Sequence, residues 1–129
     1  MIRCALLLLM AIVCSSAALP AAAQVQRNFP ASALRGELVV TAPPELQLNR
    51  KPARLAPGAR IRGADSMLIL SGGLVGQRLL VHYTTDLLGN VQDVWVLSAA
   101  EAAKQPWPST PQEAANWRFS PDSQTWSKP

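Results

Sequence analysis

Residues 79–97 read LLVHYTTDLLGNVQDVWVL, and this stretch decides the fold class. Leu79 to Thr85 and Val91 to Leu97 are rich in β-branched and aromatic residues, which suit a pleated surface. Between them lies Asp86-Leu87-Leu88-Gly89-Asn90. An Asp at the start of a turn accepts backbone hydrogen bonds. A Gly near its end takes the left-handed conformation that returns the chain. The stretch therefore predicts a β-hairpin. On its first strand, Leu80, His82 and Thr84 share one face.

Upstream, the signals stay β. Leu38-Val39-Val40-Thr41 is apolar and β-branched, and Pro43-Pro44 ends it. Glu45-Leu46-Gln47-Leu48 alternates with period two, as a half-buried strand does. Asn49 to Pro52 reads as a turn. Ala56-Pro57-Gly58-Ala59 fits a type II turn, because Pro57 presets its φ and Gly58 accepts a positive one. Arg60-Ile61-Arg62 alternates again. Met67 to Leu70 reads as a short apolar strand closed by Ser71-Gly72-Gly73. Gln24 to Ser32 reads as a disordered leading segment in which Phe29 can dock.

Downstream, Ser98-Ala99-Ala100-Glu101 is a capping box, and Ala99 to Lys104 continues it as a short helix. Pro106 and Pro108 stop that helix. Thr110 followed by Pro111 repeats the helix-start pattern. Residues 105–129 hold five prolines and three tryptophans. The expected fold is mostly β. It is a small twisted sheet or partly open barrel, SH3-like or OB-like, or a small sandwich. A short helix follows the last strand, and the C-terminal tail is irregular.

The N-terminus reads as a secretory signal over residues 1–23. Arg3 is basic, Ala5 to Val13 is a nine-residue apolar run, and Ala21-Ala22-Ala23 offers small residues for cleavage. That run is too short to span about 30 Å of hydrocarbon. No later run is long enough, so no transmembrane segment is expected after signal removal. The β domain then spans 24–104 and the Pro/Trp-rich tail 105–129. Both cysteines, Cys4 and Cys14, fall inside the signal, which leaves no thiol for a disulfide or a metal. A lipid-modified Cys14 is the alternative, with Val13 in place of the usual small residue. Eleven basic and eight acidic residues remain, a balance too mild to call for nucleic acid.

Catalytic candidates are few. His82 is the only histidine, and its place in a strand reads as structural. No serine sits in a G-x-S-x-G elbow. Ser71 to Gly76 matches no phosphate loop and reads as a turn. The carboxylates are scattered, and Asp93 beside Trp95 is the most interesting of them. No cofactor or metal is expected. Two surfaces remain. Arg50, Lys51, Arg54, Arg60 and Arg62 fall together with no acid between Glu45 and Asp65. Arg60 and Arg62 point the same way on a strand, and a turn at Pro57-Gly58 can fold Arg54 beside them. Arg54, Arg60 and Arg62 are thus candidate anion-binding residues. Trp107, Trp117 and Trp126 either form an aromatic surface or wrap back onto the sheet. In so small a domain, wrapping is favoured.

Asn28-Phe29-Pro30, Ala33 to Glu37, Ala53 to Arg62 and Gln92-Asp93-Val94-Trp95 carry a resemblance. Over Arg27 to Glu101 the chain resembles small uncharacterised exported proteins of Gram-negative bacteria. The resemblance implies a periplasmic address and no assigned activity. The expected function is non-enzymatic: periplasmic binding or cell-envelope support, with an envelope protein as partner. The alternative is binding of an anionic polymer or lipid surface through the arginines.

Overall fold

The computed structural model describes residues 26–129. The expected signal peptide, with Cys4 and Cys14, and the expected first mature residue Gln24 lie outside the described residues. Nine elements have names below: β1 (Leu34–Ala42), β2 (Glu45–Leu48), β3 (Lys51–Arg62), β4 (Arg78–Thr85), β5 (Val91–Val96), α1 (Ala99–Ala102), α2 (Pro111–Asn116), β6 (Arg118–Ser120) and β7 (Thr125–Ser127). The chain is mostly β, as the sequence predicts. Its heart is a five-stranded mixed sheet in the order β1-β2-β3-β5-β4, and β4 pairs back onto β1. Each of the five strands therefore has a neighbour on both sides.

The predicted hairpin is present. Asp86 Oδ1 accepts the amides of Leu88 and Asn90, each at 2.9 Å, and Gly89 has φ 83°. Pro43-Pro44 ends β1 as expected. Asn49 and Arg50 make the β2–β3 turn with φ of 53° and 65°, the double left-handed pair of a tight hairpin.

Three expectations need correction. The Pro57-Gly58 segment does not separate two strands. It lies inside the twelve-residue β3 as a wide bulge, with Gly58 at φ 75°. The first half of β3 pairs antiparallel with β2, and its end runs parallel to β5. Across the bulge, pairing advances from Leu55↔Val91 to Arg60↔Asp93. A bulge of this kind turns a strand sharply without ending it, so one strand can serve two neighbours. Second, Met67 to Leu70 forms no strand. Gly63 N donates to Met67 O and closes a turn, leaving Leu68 only a lone bridge to Arg62. Met67, Leu68 and Leu70 are exposed, and a single 3-10 turn, Ser71–Leu74, follows. Third, the tail is not irregular. Thr110 caps α2 by accepting from Glu113 N, and β6 and β7 form a small antiparallel hairpin.

Two apolar clusters hold the chain. The first fills the closed sheet, with Leu38, Val40, Val81, Val91 and Val94 wholly buried and Leu74 among them. The strict alternation along β1 sends Leu34, Leu38 and Val40 inward. The second lies outside the sheet, over the face of β4 and β5 that carries His82 and Trp95. It unites Phe29 and Ala33 with Trp107 and Trp126. The leading segment is therefore docked through Phe29, and the tail wraps onto the sheet.

Candidate functional site

The second cluster borders a cleft of about 630 Å³. One wall is the turn after β3, with Ala64, Asp65 and Ser66. Another is α1, with Ser98, Ala100 and Glu101. The leading segment supplies Gln26, Arg27 and Phe29, and the tail supplies Trp107 and Gln124. Lys104 lies just past α1.

The capping box builds the α1 wall. Ser98 Oγ accepts from Glu101 N at 3.3 Å, and Glu101 Oε1 accepts from Ser98 N at 2.9 Å. That reciprocal bond aims the Glu101 carboxylate at Arg27. Arg27 Nε donates to Glu101 Oε2 at 2.8 Å, and Nη2 donates to Oε1. The same guanidinium donates to Gly63 O and Val96 O, each at 2.7 Å. A planar fork suits such parallel donation. Burial pushes the Glu101 pKa up, but the bonds from Arg27 and Ser98 outweigh it and hold the carboxyl below its ordinary value. Lys104 Nζ donates to Ser123 O at 2.8 Å and Gln26 Oε1 at 3.4 Å. Gln124 is buried; it accepts from Phe29 N and donates to Pro121 O, each at 2.9 Å.

Behind the cleft lies His82, with no exposed surface. It stacks on Trp107, and Phe29 meets it edge-on at 4.5 Å. Arg35 Nε and Nη2 approach His82 Nε2 at 3.3 and 3.2 Å. A guanidinium only donates, so Nε2 is the acceptor and the ring proton sits on Nδ1. Nδ1 has no partner. Burial, then the Arg35 charge, pushes the His82 pKa down to about 3. A sealed imidazole whose lone pair already meets an arginine cannot take a substrate proton. Arg35 also donates to the carbonyls of Glu101 and Ala102 at the end of α1, at 2.9 and 3.2 Å.

The three predicted arginines, Arg54, Arg60 and Arg62, all lie on β3. Arg54 lies where β3 pairs with β2, and Glu45 Oε1 is 3.4 Å from it. Arg62 lies where β3 pairs with β5, and Asp93 Oδ1 is 3.8 Å away. Folding thus brings acids into a basic run that has none in sequence. Arg60 is exposed and makes no ion pair among the described residues. Arg50 sits in the β2–β3 turn, and Lys51 starts β3. Of the candidate aromatic surface, Trp107 and Trp126 are buried, and Trp117 is half-buried with Lys128 Nζ 5.3 Å from its ring centre.

The cleft itself was not predicted. Its one sequence signal is the capping box, which places Glu101. Arg27 lies 74 residues away, and no local pattern links them. Among the described residues, no group of three or more His, Cys, Asp or Glu could hold a metal, and no helix is long and apolar enough to cross a membrane. No family model, curated protein or solved structure matches this chain.

Proposed function

We propose that the chain is an exported, non-enzymatic binding module of the cell envelope, built on an OB-type barrel, with the cleft as its ligand site. The carrying observation is the cleft itself. Its volume falls within the roughly 300–1,000 Å³ of small-molecule sites, and its lining sets Phe29, Trp107, Ala64 and Ala100 among a larger number of polar and charged side chains. The barrel reading rests on strand order. The chain crosses from β3 to β4, and β5 then fills the place beside β3, a Greek-key order that suits an OB-type barrel better than a meander. A binding role is favoured over catalysis because the one histidine is sealed and neutral. Export rests on the sequence of residues 1–23.

Ala100 is exposed on α1 and lines the cleft, so Ala100→Trp should fill the cleft and spare the core. Thermal melts of the mature protein against a panel of envelope-derived small molecules form the test. A ligand at a hundredfold excess over its Kd stabilises by about 2.7 kcal/mol. At least one compound should raise Tm for the wild type and not for Ala100→Trp. A panel that shifts neither protein, or both alike, would overturn the cleft as ligand site. Export predicts an N-terminus at Gln24 after secretion; an intact Met1 or an acylated Cys14 would overturn that.

A second reading is supported by Arg60. It is exposed, unpaired among the described residues and on β3, the strand that OB-type barrels use with β2 for recognition. An anionic polymer or lipid surface would displace Glu45 and Asp93 from Arg54 and Arg62. Retention on such a ligand should then fall steeply with salt and vanish when all three arginines become Gln. Equal retention of both proteins would remove this reading.

A further inference from the structure

The connection from β3 to β4 leaves a group of apolar side chains in water. Residues 66–77, between Asp65 and Arg78, carry no charged side chain. Within them Met67 is 68% exposed, Leu68 69% and Leu70 86%. Large apolar side chains grouped in this way mark a contact surface.

The connection holds these side chains on a fixed frame. Gly63 N donates to Met67 O at 2.8 Å, and Asp65 Oδ1 accepts from Met67 N at 3.0 Å. Ile69 N donates to Ile61 O at 2.8 Å, and Ile69 packs against the first apolar cluster. Leu74 is buried in that cluster. Ile69 and Leu74 thus pin the loop, and its exposed members lose little freedom on contact. The flanking charges are matched: Arg62 lies 3.8 Å from Asp93, and Arg78 lies 3.2 Å from Glu37. Asp65 makes no ion pair among the described residues, so nothing at the base of the loop favours an anionic surface. The contact offered is apolar.

The entry point of the leading chain decides the occupant. Arg27 Nη1 donates to Gly63 O at 2.7 Å, and Gln26 and Ser66 line the same cleft. Gly63 and Ser66 form the base of the apolar loop, so residues 1–25 join the fold beside Met67 and Leu68. Those residues include the apolar run Ala5 to Val13, the membrane-seeking part of a secretory signal. Only residues 14–25 separate that run from Gln26, a reach of at most about 40 Å when fully extended. A leader engaged with a membrane therefore brings the loop to the same bilayer. Leu87 and Leu88 are also exposed, but they lie past the far end of β4, an eight-residue strand about 26 Å long.

We infer that Met67, Leu68 and Leu70 form a bilayer-contacting tip, which seats the folded domain on the lipid surface its leader enters. The side chains insert at the boundary of head groups and acyl chains, and the contact takes neutral phospholipid. The tip is separate from the cleft and from the arginines of β3. The choice of a bilayer rests on the export reading of residues 1–23, whose own test is the N-terminus after secretion.

The test uses residues 24–129, which contain both apolar clusters entire, and phosphatidylcholine vesicles at millimolar lipid. The wild type should cosediment with the vesicles, equally at low and high salt, unlike a contact made by charge. The triple variant Met67→Ser, Leu68→Ser and Leu70→Ser should lower partitioning by about tenfold or more and leave Tm unchanged. Leu70→Trp should raise partitioning, because Trp favours the interface. Residues 24–129 contain no cysteine, so Leu70→Cys and Leu88→Cys each accept one environment-sensitive fluorophore. The label at 70 should shift to the blue with vesicles and be quenched by brominated lipid, and the label at 88 should do neither. Ala100→Trp should leave vesicle binding unchanged, so failure of the cleft as a ligand site and failure of the tip are distinguishable. No vesicle binding, binding unaltered by the triple variant, or equal quenching of both labels would overturn the inference. Dimerisation without lipid that the triple variant abolishes would assign the loop to a second copy of the chain and overturn it as well.

Discussion

His82 and Trp107 lie ring on ring, with centroids 4.0 Å apart and planes 24° from parallel. One comes from the middle of β4 and the other from the tail, so the stack fastens the C-terminal segment to the outer wall of the sheet. Trp107 is anchored further by its Nε1, which donates to Ala33 O at 2.9 Å. Its edges meet Phe29, Phe119 and Trp126 at 5.8–6.1 Å. Trp107 therefore ties three segments distant in sequence to one another.

Truncating that residue should be costly. Trp107→Ala should destabilise by about 3–5 kcal/mol, a large share of the stability of a domain this size. Trp95 is half-buried and meets Phe29 at 5.6 Å, so Trp95→Ala should cost less. Urea midpoints of the two variants give the ranking. A Trp107 variant as stable as Trp95→Ala would show that the tail contributes little to the fold.

The Arg27–Glu101 pair should behave asymmetrically. Removing Arg27 leaves a largely enclosed carboxylate without its fork, while Gly63 O and Val96 O lose their donor. Arg27→Met should cost roughly 2–4 kcal/mol. The double variant Arg27→Met with Glu101→Gln should recover part of that loss, because no charge is then stranded. A double variant as unstable as the sum of the single ones would mean the two side chains do not interact.

Two glycines separate backbone strain from crowding. Gly89 has φ 83°, and an added Cβ would meet nothing within 4 Å. Gly89→Val should therefore cost roughly 1–2 kcal/mol through backbone conformation alone. Gly36 lies in regular β1, but its added Cβ would come within 3.0 Å of Asn49 Oδ1 and of Tyr83 Cε1. Gly36→Ala should destabilise by displacing Asn49, which otherwise accepts from Glu37 N at 2.9 Å. Thermal melts would check both. An unchanged Tm for Gly89→Val would reject the turn geometry.

Local chemistry was legible in the sequence where one short stretch contains all the parties. The Asp86–Gly89 turn, the Ser98–Glu101 box and the Thr110 cap each close within five residues, and all three form as expected. The Pro57-Gly58 segment has the residues of a turn, yet it forms a bulge because β2 and β5 draw β3 onward on different sides. Met67 to Leu70 has the composition of a strand but gains only a lone bridge, from Leu68 to Arg62. The cleft depends on Arg27 meeting Glu101 and on Phe29 meeting Trp107. Those contacts are set by the closure of the sheet, which no periodicity encodes. The acidic partners of the arginine run are hidden for the same reason, since Glu45 and Asp93 arrive from other strands.

Acid should weaken the fold through His82 before it acts on any carboxylate. Burial and the adjacent Arg35 charge hold the folded pKa at about 3, against an ordinary value of 6.5. The unfolded chain therefore binds more protons between these values, and stability falls as pH falls through that window. The slope approaches about 1.4 kcal/mol per pH unit, which amounts to roughly 2 kcal/mol lost from pH 7 to pH 5. Glu101 is also depressed, so its contribution is lost only at lower pH, from near the ordinary carboxylate value of 4.5 downward. The interval from pH 7 to pH 5 thus isolates the histidine. Replacing it with glutamine keeps an acceptor for Arg35 and removes the titration. Urea unfolding at pH 7, 6 and 5 should show a falling midpoint for the wild type and a nearly level one for His82→Gln. Parallel slopes for the two proteins would mean that His82 is open to solvent and that Trp107 does not cover it.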